Sequence, residues 1–128
     1  MEDWSLYNSG LKKMKDFDVY QGLALRTASA ESTATPLTLL DASALGLSGE
    51  SGEIADHVKK ILYHGHPLDD ATRDKIAKEL GDILWYCALG AKGIGMSLAE
   101  IAVMNVAKLE KRYPEGFSTE NSLNRPHG

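Results

Sequence analysis

The stretches "GESGEIADHVKKI" (49–61) and "KELGDILWY" (78–86) share one local pattern, Glu-x-Gly-acid-Ile. It occurs as Glu50-Ser51-Gly52-Glu53-Ile54 and as Glu79-Leu80-Gly81-Asp82-Ile83. Acid-x-x-acid pairs are cheap: 18 acids among 128 residues give roughly two or three by chance. The chain has Glu50/Glu53, Glu53/Asp56 and Glu79/Asp82, so the count decides nothing, and the ordinary reading of each pair is a solvated helix face. Phase says more. On a helix, Glu50 lies about 40° and Glu53 about 100° to the same side of Ile54, and Glu79 and Asp82 stand in the same relation to Ile83. Asp56 falls about 160° from Ile54 and reads as the solvated acid.

Working outward, Leu40, Ala44, Leu47, Ser51, Ile54, Val58 and Ile61 recur at steps of four and three, which predicts an amphipathic helix from near Thr38. "YHGHPLDD" (63–70) interrupts it, and Asp69 or Asp70 is placed to cap the next helix. Ile76, Leu80, Ile83, Cys87, Ala91 and Ile94 form a second stripe, stopped by "KGIG" (92–95). Ser97-Leu98-Ala99-Glu100 reads as a capping box for a helix that ends before Pro114. Upstream, residues 16–30 read as a first helix with Phe17, Tyr20, Ala24 and Ala28 on one side, followed by a loop at 31–36. The expectation is an all-α domain of four helices over residues 1–117, with a flexible polar tail at 118–128.

A short connection favours antiparallel packing of the two acidic helices. Glu50, Glu53, Glu79 and Asp82 then line one cleft at a core edge, where unpaired carboxylates repel one another and lose hydration. Lys60 and Lys75 lie near the same margins as single flexible charges, whereas a hard divalent cation compensates better. An all-oxygen donor set suits Mg²⁺, with Mn²⁺ as substitute, and not zinc. Gly46, one turn before Glu50, is expected to leave room for a ligand. His57 and Tyr86 follow one turn beyond the two pairs; Tyr86 reads as a stacking or phosphate-bonding group or as core. Trp85 points about 100° away from Tyr86 on a helix, so the two rings need not act together. His57, His64 and His66 read as polar histidines rather than a zinc cluster. Asn105, Lys108 and Arg112 share one face of the last helix, either to hold phosphate oxygens or as an ordinary basic last turn.

The totals limit the alternatives. A net charge of −4 argues against binding nucleic acid through bulk electrostatics. Cys87 is the only cysteine, which excludes an intrachain disulfide and favours a reducing compartment. "MEDWSLYNSG" (1–10) lacks the basic flank and apolar run of a signal peptide, and no apolar run is long enough to span a membrane. The expected location is the cytoplasm.

"GLSGESGEIADHVKKILYHGHPLD", "KELGDILWY" and "NVAKLEKRYPEGF", in that order, resemble the MazG-like nucleotide pyrophosphohydrolases of the all-α NTP pyrophosphatase superfamily. The similarity spans roughly residues 38–117, more weakly 19–27. The resemblance implies a homodimer or homotetramer of four-helix protomers that hydrolyses a nucleoside triphosphate to the monophosphate and pyrophosphate with Mg²⁺. It maps the metal ligands onto Glu50, Glu53, Glu79 and Asp82, and substrate contacts onto Tyr86 and Asn105, with Lys108 and Arg112 as phosphate partners. Glu50 or Glu53 would orient the attacking water as the catalytic acid–base group. Lys59 and Lys60 stand where some relatives carry base-stacking aromatics, so base preference stays open. Alternatives are a phosphoribosyl-ATP pyrophosphohydrolase, a di-iron helical oxidase, and a non-catalytic oligomerisation or regulatory module. The di-iron class usually needs Glu-x-x-His twice, which this sequence lacks.

Overall fold

The structure, a computed structural model, describes residues 16–125, so the N-terminal decapeptide and the end of the tail lie outside the described residues. It is all-helical: α1 Phe17–Leu25, α2 Pro36–Tyr63, α3 Asp70–Gly93, α4 Leu98–Arg112 and the one-turn α5 Thr119–Leu123. The four long helices are those expected; α5 falls inside the stretch expected to be a flexible tail.

Local chemistry sets the boundaries. Asp16 caps α1 by accepting from Val19 N at 2.8 Å. The helix was expected to run to residue 30 but ends at Leu25. There the Thr27 hydroxyl donates to Ala24 O at 2.9 Å, and tight turns follow, a local side-chain competitor to helix propagation. Thr35 and Thr38 form a reciprocal capping box for α2, with Pro36 at its first position. At the other end of α2 the chain turns through Gly65, whose φ of 72° suits glycine. Asp69, not Asp70, caps α3, accepting from Thr72 N at 2.9 Å.

The start of α4 is braced from a distance. Ser97 Oγ accepts from Glu100 N, and α1 supplies the rest: Leu98 N donates to Gln21 Oε1 and Ala99 N to Asp18 Oδ1. Three orphan amides of the first turn are thereby satisfied. Buried Gln21 also donates to Ala88 O and Met96 O, so one amide ties α1 to both α3 and the turn into α4.

The principal contact is between α2 and α3, which run antiparallel: Leu39 and Leu40 meet Gly93, Ser43 meets Gly90, and Gly46 meets Tyr86. Ser43 Oγ donates to Tyr86 O at 2.8 Å. The small apolar core sits towards the C-terminal end of α3, where Ala24, Ala88, Ala91 and Leu98 are buried under Tyr20, Trp85, Cys87 and Ile101. The helix faces are rotated from the expected stripes. Leu39 and Ser43 are buried, whereas Ala44, Ser51, Val58 and Leu80 are exposed. Small residues let the two helices approach on the face that carries the acids, and Val58 and Leu80 are left outside.

Candidate metal centre

Beyond Gly46 the α2–α3 contact turns acidic. Glu50 and Glu53 from α2 and Glu79 from α3 each place a carboxylate oxygen within 4.8 Å of the others. Glu50 and Glu79 are half-buried, and each has its Oε2 atom buried without a hydrogen-bond partner. Such atoms are costly to leave unpaired. Glu53 is exposed, and its carboxyl is raised above the ordinary range, first by a hydrogen bond to Glu79 and then by the charge of Glu79. Asp82 adds to this effect from nearby but supplies no atom to the three-carboxylate group.

A cleft of about 470 Å³ opens beside the acids, lined by Gly49, Gly52, Glu53, Asp56, His57 and Glu79. His57 Nε2 lies 3.9 Å from Glu79 Oε1. Asp56 has its own cations: Lys59 and Lys60 bind it at 3.0 and 2.8 Å. Hydrogen bonds from Lys60 and then Lys59 lower the Asp56 carboxyl to about 2. Lys60 therefore neutralises Asp56, not the three-carboxylate group.

Two buried oxygens without donors, on facing helices and next to a third carboxylate, fit a hard divalent cation by charge and by donor type. Glu50, Glu53 and Glu79 are the residues that would hold it, with Asp82 one turn further along.

Several expectations change once the helices are packed. Gly46 leaves no room for a ligand, because the Tyr86 ring fills the space above it. The rings of Trp85 and Tyr86 meet edge-to-face with centroids 5.1 Å apart. Trp85 Nε1 donates to Ala24 O and Thr27 Oγ1, which ties that pair to α1. Asn105, Lys108 and Arg112 do not line the cleft. The axes of α3 and α4 meet at a bend of 98°. Asn105 and Lys108 are exposed, while Arg112 is half-buried with an unpartnered buried Nε and lies 6.0 Å from the Tyr113 ring. The sequence reading missed Gly49 and Gly52 as cleft walls. Their signal was two glycines three apart inside a helical period, adjoining the acids.

The chain is thus all-helical, with carboxylates gathered between two antiparallel helices. Residues 39–117 match the MazG nucleotide pyrophosphohydrolase domain, and the chain belongs to that family. It is also similar to the "Gene 37 protein" of Mycobacterium phage L5, 34% identical over 111 residues, covering 84% of this chain and 97% of the phage protein. No solved structure matches the chain significantly. Among the described residues, no single helix is long and apolar enough to cross a membrane.

Proposed function

We propose that this protein is a Mg²⁺-dependent nucleoside triphosphate pyrophosphohydrolase, converting a ribo- or deoxyribonucleoside triphosphate to its monophosphate and pyrophosphate. The observation that carries the reading is the set of three carboxylates within 4.8 Å, two with unpartnered buried oxygens, beside an open cleft. When bound, the cation neutralises charge on the phosphates and on the leaving pyrophosphate.

The protein's own part follows from burial. Glu50 and Glu79 are fixed between the helices and serve as anchoring ligands. Glu53 faces the cleft, where its carboxylate can take the proton of a water attacking the triphosphate. The new P–O bond forms to that water at the α- or β-phosphorus, and the bond from that phosphorus to the α–β bridging oxygen breaks, releasing monophosphate and pyrophosphate. Asp82 completes the acidic set from the exposed side.

A homo-oligomer is part of the same proposal. Val103, Met104, Val106 and Leu109 stand exposed on α4, more apolar surface than one short helix usually shows to water. Pairing of protomers through this surface would let Asn105, Lys108 and Arg112 serve a neighbouring protomer's cleft as phosphate partners, and Tyr86 would then be a wall of the nucleotide site.

The test is product analysis with Mg²⁺ across the common ribo- and deoxyribonucleoside triphosphates and phosphoribosyl-ATP, with Glu53→Gln alongside. Monophosphate and pyrophosphate from a triphosphate, lost in the variant, is the expected result. Turnover of phosphoribosyl-ATP alone would reassign the substrate. No turnover together with no divalent-cation binding would leave a non-catalytic helical module.

A further inference from the structure

We propose that His57 is a positioning residue: it holds the Glu79 carboxylate in the orientation that the cation requires. This rests on the metal-dependent reading above.

His57 lies one turn after Glu53 on α2 and shares the cleft wall with Glu53 and Glu79. Its Nε2 is 3.9 Å from Glu79 Oε1, and the two side chains are only 24% and 19% exposed. The other oxygen of Glu79, Oε2, is buried without a partner. The carboxylate thus has one edge towards the imidazole and the other turned inward. At 3.9 Å the two groups are in contact but further apart than a hydrogen bond, and a small movement of either side chain would close it to one donated by the imidazole Nε2 to Glu79 Oε1. The imidazole would then fix the rotation of Glu79 about its last side-chain bond, as groups beyond the immediate ligands of metal sites do.

The neighbouring cations do not take this role. Lys59 and Lys60 both point to Asp56. The flanking walls at Gly49 and Gly52 carry no side chain beyond a hydrogen. Among the described residues, His57 is the basic side chain that the structure sets against Glu79.

The experiment is Mn²⁺ titration of the nucleotide-free protein, followed by electron paramagnetic resonance, for wild type, His57→Ala, His57→Gln, His57→Asn and Glu79→Gln. Circular dichroism melts of the same samples confirm that each is folded. Loss of an outer partner typically weakens metal binding about 10–100-fold, and that weakening is expected for His57→Ala at unchanged melting temperature. Glutamine places an N–H where the imidazole has Nε2, so His57→Gln should recover most of the affinity. Asparagine mimics Nδ1 instead and should not.

Wild-type affinity in folded His57→Ala, with Glu79→Gln impaired, would overturn the role of His57 and leave the metal centre standing. Equal impairment of the glutamine and asparagine variants would overturn it too, because a generic packing loss would then suffice. Unchanged Mn²⁺ binding in Glu79→Gln would overturn the metal centre itself, and the proposal with it.

Discussion

The two ends of the α2–α3 pair use glycine in opposite ways. At the packed end, Gly46, Gly90 and Gly93 each lie against a neighbour: the Tyr86 ring, the Ser43 hydroxyl, and Leu39, Leu40 and the Pro36 carbonyl. At the acidic end, a methyl group added to Gly49, Gly52 or Gly81 would meet nothing within 4 Å. A glycine inside a helix costs up to about 1 kcal/mol relative to alanine. At the packed end that cost is offset by close approach of the helices. At the acidic end no contact within the chain offsets it, and two of the three glycines line the cleft. One end is built for the fold, and the other leaves room for something that binds.

The strongest challenge to this contrast is at the acids. Glu79→Gln should lower kcat by on the order of 10²-fold or more, comparable to removing a group that stabilises developing charge, while the metal-free protein melts no lower than wild type. Steady-state kinetics and a thermal melt check the two halves. A large loss of stability without loss of turnover would make the acidic end structural.

Next in size is Gly46→Ala. Its methyl group falls inside the Tyr86 ring, so overpacking should destabilise the protein by about 1–3 kcal/mol. Urea unfolding measures it, and Tyr86→Ala in the same background should cost less than the sum of the two single changes. If Gly46→Ala is neutral, the packed end is looser than described.

Gly52→Ala should do the reverse. With space around its new methyl group, it should stabilise by about 0.4–1 kcal/mol and raise KM for the nucleotide, because the methyl group projects into the cleft. Higher stability with an unchanged KM would detach Gly52 from ligand binding.

The smallest effect concerns Asp56. Its carboxyl is lowered from an ordinary 3.8 to about 2 by Lys60 and Lys59. A depressed folded-state value means that the contribution is full above 3.8 and is lost as pH falls through about 2. The ion pairs are solvent-exposed, so salt screens them and the contribution is slight. Melts of wild type and Asp56→Asn should differ little at neutral pH and converge below pH 2. A large gap that persists in high salt would make Asp56 more than a screened ion pair at the rim of the cleft.

Helix existence was legible because its signals are local. Asp69 with Thr72 and Ser97 with Glu100 are capping contacts within four residues, and the 3.6-residue period is read along one chain. The equally local Thr35–Thr38 cap begins in a stretch that reads as loop and is missed. The juxtaposition of Glu50, Glu53 and Glu79 was legible for the same reason, since acids in one phase on two helices foretell a shared face; Asp82, expected in the same cleft, supplies no atom to the group. The bracing of α4 by Asp18 and Gln21 was not legible, since those contacts span 81 and 77 residues.

The sequence by itself therefore determined an all-helical chain, the capped starts of α3 and α4 and an acidic margin on α2 and α3. Only the tertiary structure decided how the two helices are rotated against each other. That rotation depends on how closely Ser43, Gly46, Gly90 and Gly93 let the backbones approach, a pairwise steric fit with no period along the chain. It seats Tyr86 on Gly46, buries one oxygen each of Glu50 and Glu79, leaves Glu53 facing the cleft, and brings His57 up to Glu79.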